Sequence, residues 1–127
     1  MKQAGNALIV AGLSALTETA HGNSKAAGWY NDPKTGRPVR RNVGEMIALI
    51  HSEISEGLEA VRKGLPDDHL PHRTGIEVEL ADAVIRIADL AGYMGLDLGG
   101  AVVEKMEYNK NRADHKIENR KNNGKQF

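Results

Sequence analysis

Two stretches, residues 42–64 and 74–93, constrain this chain more than anything else in it, because each carries its own start signal and the first its own stop. Asn42-Val-Gly-Glu45 opens the first: asparagine caps exposed backbone N–H groups, and a glutamate three residues on can reach back. Lys63-Gly64, with Pro66 following, closes it. Thr74-Gly-Ile-Glu77 opens the second in the same way. Between these signals Ile47, Ile50, Ile54, Leu58 and Val61 recur at helical spacing, as do Leu80, Ala81, Val84, Ile85, Ile87, Ala88 and Ala91. The spacing predicts two amphipathic helices whose apolar stripes form the core.

Each helix also carries two acids three residues apart, Glu53 with Glu56 and Glu79 with Asp82. Residues at i and i+3 share one side of a helix, so two such helices packed side by side can aim four carboxylates at one point. Oxygen-only donors of this kind suit magnesium, which keeps some of its waters and binds through a few carboxylates plus substrate phosphates. At about 100° per residue, Glu53 falls on the edge of its stripe and Glu56 further round, so Glu53 is the expected half-buried acid. Glu79, Asp82, Arg86 and Asp89 fall nearly opposite the second stripe, a pattern that by itself equally describes a solvated face. Periodicity leaves both readings open; the occurrence of the acid pair twice, beside two core stripes, favours a site.

The remaining segments read as support. Ile9, Leu13, Leu16 and Ala20 predict an amphipathic first helix. A secretory signal is not expected there: the apolar run is interrupted by Asn6, Gly12 and Ser14, and Glu18 sits where a cleavage region would be neutral. Residues 22–42, broken by Gly22, Gly28, Pro33, Gly36 and Pro38, read as a loop. It holds Trp29, whose indole can pack on its own domain or stack on a base, and a basic run, Arg37, Arg40 and Arg41. His69 and His72 lie in a second loop without a partner pattern, and zinc is not the expected ion. A fourth helix is expected from Asp97 to about His115, with Gly99 and Gly100 weakening its start. One face of it reads Leu98, Ala101, Val102, Lys105, Asn109, Arg112, turning from apolar to basic. That row can point an ammonium, an amide and a guanidinium at one anion, or it can be a plain surface.

Composition narrows the class. With 127 residues the chain is read as one domain over 1–118, followed by a polar, mobile tail over 119–127. Its 17 basic and 17 acidic residues balance, which argues against a nucleic-acid polymer as partner. It has no cysteine, so thiolate metal sites and thiol nucleophiles are excluded. Aromatic residues make up only 4%, and alanine, leucine, isoleucine and valine supply most apolar mass, which favours an all-α fold. No stretch is apolar for long enough to span a bilayer.

The residues from about His21 to Arg112 resemble the MazG-like all-α nucleoside triphosphate pyrophosphohydrolases, in particular the short single-domain members of phages and bacteria. The resemblance rests on Gly28-Trp29, on HSEISE (51–56), ELADAVIRI (79–87) and EYNKNR (107–112) in that order, and on the ExxE…ExxD hallmark. It implies a four-helix bundle completed by homo-oligomerisation, as dimer or tetramer, and a cytoplasmic location, that of the host if the chain is phage-encoded. It implies hydrolysis of a nucleoside triphosphate to monophosphate and pyrophosphate, with dGTP the first purine to consider. Two or more magnesium ions, replaceable by manganese, would be held by Glu53, Glu56, Glu79 and Asp82, with Glu53 or Glu56 taking the proton of the attacking water. Lys105, Asn109 and Arg112 match the family's phosphate-binding segment, with Tyr108 beside them. Trp29 and His51, together with Ile50, His21 and Asn23, are the candidates for the base. The chain departs from many short relatives at RADHKIENRKNNGK (112–125), where their RP and HGGK signature is missing. Two other readings stay in view: the related phosphoribosyl-ATP pyrophosphatases, and a noncatalytic helical module that assembles through its apolar stripes.

Overall fold

The computed structural model describes residues 2–112 and 115–122. Among them the chain is all-α, with no strand. Its helices are α1 (Lys2–Ala26), α2 (Val43–Lys63), α3 (Gly75–Met94), α4 (Leu98–Lys110) and the short α5 (Ile117–Lys121). Two compact units divide it: Ala15–Leu96 form one, and the residues up to Ser14 together with those from Asp97 onward form the other. No helix of the described residues is long and apolar enough to cross a membrane.

The caps act as the sequence suggests. The Asn42 side chain accepts from the Glu45 backbone N–H at 3.0 Å, and Thr74 and Glu77 make a full reciprocal box at the front of α3. Gly64 and Gly95 end α2 and α3 in the left-handed conformation, φ 61° and 65°, which L side chains adopt only with strain. Three boundaries differ from expectation. Helix α1 continues through Gly22 to Ala26 and takes the first residues assigned to the loop. Helix α4 stops at Lys110, short of His115. Helix α5 crosses the expected start of the tail at residue 119, while residues 123–127 lie outside the described residues.

In the larger unit α2 and α3 pack antiparallel: Ala60 meets Gly75, Gly57 meets Ile76 and Glu79, and Glu53 reaches Arg86. Small residues make the approach close. A Cβ at Gly75 would come within 2.8 Å of the Ala60 Cβ, and one at Gly57 within 3.4 Å of the Glu79 Cβ. The second half of α1 lies against the end of α3, where His21 Cβ would sit 2.5 Å from a Cβ on Gly92. Gly92→Ala would gain roughly 1 kcal/mol of helix propensity but must force apart two backbones, so urea unfolding should show a net loss of about 1–3 kcal/mol. In the other unit Gly99 plays the same part, since a Cβ there would lie 3.0 Å from the Val10 Cα. That contact explains a glycine in the first turn of α4.

The stripes expected to form the core do so only in part: Ala88 and Ala91 of α3 are buried, but the large side chains are not. Ile54, Leu58 and Val61 of α2 are 50%, 54% and 59% exposed, and Leu80, Val84, Ile85 and Ile87 of α3 are exposed as well. The buried positions are Met46, Glu53 and Gly57 on α2 and Gly75, Ala83, Ala88 and Ala91 on α3. The helices therefore meet through the narrow small-residue face that carries the acids, and present their large apolar side chains outward. Close helix contact demands small side chains, and Gly57, Ala60, Gly75 and Ala83 supply them beside the carboxylates.

Candidate functional site

Three of the four predicted acids converge. Glu53, Glu56 and Glu79 each offer a carboxylate oxygen within 4.8 Å of the others. Glu53 and Glu56 stand one turn apart on α2, and Gly57 lets Glu79 of α3 come up against them. Glu53 is 8% exposed, the one buried charged residue among those described, as its place at the stripe edge led us to expect. Asp82 does not join this tight group. It lies half-buried on the same face of α3 and lines a cavity together with Glu53.

The electrostatics are those of acids crowded out of water. Burial, reinforced by the neighbouring Glu53 and Glu56 carboxylates, pushes Glu79 up to about 7. Burial and the field of Glu53 also raise Asp82, with Arg86 partly opposing. Burial alone would raise Glu53, but hydrogen bonds led by that from Arg86 outweigh it and hold Glu53 below the usual carboxylate range. Arg86 donates from Nε to Glu53 Oε1 at 2.6 Å. The Glu79 Oε2 atom is buried with no hydrogen-bond partner. An orphaned buried carboxylate oxygen is costly unless a proton or a cation meets it. An all-oxygen donor set with one such atom fits a hard divalent cation.

Beside the acids a cavity of about 800 Å³ opens within the larger unit. Its wall includes Trp29, Arg41, Asn23, Asp82, Arg86 and Asp89. Trp29 is 66% exposed, an indole that does not pack down on its own domain. The loop holding it is pinned by Asp89, whose Oδ1 accepts from the Tyr30 hydroxyl at 2.8 Å and lies 2.9 Å from His21 Nδ1. Arg41 sits over the Tyr30 ring at 5.6 Å, and its backbone N–H donates to the Tyr93 hydroxyl. Burial and the Asp89 hydrogen bond push the Tyr30 phenol well above its usual range, so it stays a donor. These contacts tie the loop to Asp89 and Tyr93 of α3.

Not every candidate reaches the cavity. Asn23 does, in the last turn of α1, but His51 is exposed and outside its wall, and His21 is committed to Asp89. Lys105, Asn109 and Arg112 belong to the other unit. There the Lys105 ammonium lies 4.6 Å from the Tyr108 ring centre, and Asn109 Oδ1 is buried without a hydrogen-bond partner. Three residues that sequence reasoning passed over have clear roles here. Asp89 and Tyr30 brace the loop, and Arg86 holds Glu53. The signal for Arg86 was its spacing, one turn beyond Asp82 and two beyond Glu79 on a single face. No family model, curated protein or solved structure matches the chain.

Proposed function

We propose that this chain is a magnesium-dependent nucleoside triphosphate pyrophosphohydrolase of the MazG-like kind, cleaving a deoxynucleoside triphosphate to monophosphate and pyrophosphate. The observation that carries the reading is the convergence of Glu53, Glu56 and Glu79, of which Glu53 also lines a cavity large enough for a nucleotide whose wall includes the exposed Trp29. Glu53, Glu56, Glu79 and Asp82 would hold the ions. Magnesium bound there would neutralise phosphate charge and supply an acidified water.

The chain's own residues do the rest. Glu56, exposed and free of Arg86, is better placed than Glu53 to take the proton from an attacking water. Trp29 offers a flat face on which a base stacks, and the Asn23 amide offers both a donor and an acceptor to the base edge. A purine, with dGTP first, makes the largest stacking contact. The exposed Ile54, Leu58, Val61, Leu80 and Val84 form the surface through which copies of the chain would associate.

A panel of ribo- and deoxynucleoside triphosphates, incubated with magnesium and resolved by chromatography, tests the reading. Monophosphate with intact pyrophosphate is the expected product pair. Diphosphate with orthophosphate, or no product on any substrate, overturns it, and the second result would leave a helical assembly module as the better description.

A further inference from the structure

The proposal concerns Arg86, and it rests on the reading of the acids as a divalent-cation site. Its guanidinium is tied to the acidic group by a single bond, Nε to Glu53 Oε1, and is not bidentate. The terminal nitrogens make no hydrogen bond within the described residues, and the side chain is 42% exposed at the cavity wall. A guanidinium presents five donors and cannot shed its charge. Arg86 therefore uses one donor on the protein and turns the others toward open space beside the acids.

The surrounding charge explains why it stands there. Glu53, Glu56 and Glu79 crowd together, with Asp82 close enough for its charge to be felt at Glu53. Without a cation such a group repels itself, and Arg86 is the positive side chain that hydrogen-bonds to it. A divalent ion that takes the Glu53 carboxylate removes the acceptor and adds like charge. The guanidinium must then find another anion. Of the other two acids on that wall, Asp82 belongs to the group read as holding the cation, and Asp89 already has Oδ1 occupied by Tyr30 and His21.

We propose that Arg86 is an internal counter-cation, seated on Glu53 in the cation-free protein and handed over to the phosphate group of a ligand in the cavity once a divalent cation takes that carboxylate. Cation and anion then bind in order, and a phosphate ligand is held well only after the acids are filled. Arg86 is a ligand-binding and positioning residue at once.

Calorimetric titration of the full chain with magnesium chloride alone, then with inorganic tripolyphosphate in saturating magnesium, separates the outcomes. For Arg86→Gln magnesium should bind about fivefold to tenfold more tightly than to the unaltered chain, because a competitor worth about 1 kcal/mol at a partly exposed site is gone. Tripolyphosphate should bind at least tenfold more weakly, since a charge-assisted pair is lost. A merely structural arginine would loosen both or change neither, and either result overturns the proposal. If the unaltered chain takes up no magnesium, the cation reading itself fails, and the handover with it. Should Arg86→Gln not fold, the Arg86 Nε–H resonance of the unaltered chain, assigned by its loss in Arg86→Lys, answers the same question. It should shift on adding magnesium and shift again with tripolyphosphate, and a resonance unmoved by magnesium overturns the handover.

Discussion

If the proposed hydrolysis is this chain's activity, replacing Glu53 with glutamine is expected to lower turnover by about 10²–10⁴-fold while helix content stays as it is. The fold should survive because the substitution keeps shape and hydrogen bonding together. The glutamine Oε1 can still accept from Arg86 Nε, and its new amide donors face Glu56 and Glu79, which are acceptors. One negative charge leaves a crowded cluster, so the cation-free variant should unfold at the same temperature or slightly above. Chemistry should not survive, since the donor at the centre of the acidic group no longer carries charge. Glu53→Ala is the poorer test: it strips Arg86 of its acceptor and opens a buried gap, and a dead variant would then report damage to the fold. Circular dichroism and product chromatography on Glu53→Gln are sufficient. Turnover within threefold of the unaltered chain would mean that the acids are a solvated cluster and not the working site.

Much of this was readable before any coordinates. Caps and stops placed both ends of α2 and the start of α3 to within a residue or two because Asn42, Gly64 and Thr74 act locally, through backbone groups that no distant packing can redirect. The pairing of the acids was also local. The inward face was not. Periodicity gives the angle between the acids and the apolar stripe, but says nothing about which of the two a neighbouring helix will cover. That choice was made by size. Gly57 and Ala60 flank Glu53 on one face of α2, Gly75 and Ala83 flank Glu79 on one face of α3, and only those faces allow the approach observed. Attending to small residues at helical spacing, as well as large apolar ones, would have turned both helices the right way.

The same geometry accounts for what the stripes do. A helix pair that meets through glycine and alanine buries little apolar area, and the single chain leaves Ile54, Leu58, Val61, Leu80 and Val84 in water. The loop expected over residues 22–42 is present from residue 27, and what its sequence does not announce is how it is held. Tyr30 and Arg41 are anchored by Asp89 and Tyr93, contacts between residues far apart in sequence that no local signal announces.

Magnesium should reverse the dependence of stability on pH. Without it, Glu79, raised from 4.5 to about 7, and Asp82, also raised, bind protons more readily in the folded chain than in the unfolded one. Stability from these groups is full at low pH and is lost as pH climbs from the unfolded value through the folded one, between about 4.5 and 7 for Glu79. Glu53 acts in the opposite sense, since its folded value is depressed. Its contribution is present above its unfolded value and is lost only as pH falls through the folded one, below the Glu79 window. Between pH 5.5 and 8 the Glu79 and Asp82 trend therefore prevails. A cation competes with those protons, so its stabilisation must grow as they leave. With magnesium at about 100 times its dissociation constant at pH 8, a melting scan should rise by roughly 5–10 °C over a chelator control. At pH 5.5 and the same concentration the rise should shrink to less than half, because Glu79 must first give up its proton. Matching the ionic strength with sodium chloride isolates site binding from screening. An equal rise at both pH values would place magnesium elsewhere on the protein, and no rise at either would mean that the acids hold no magnesium.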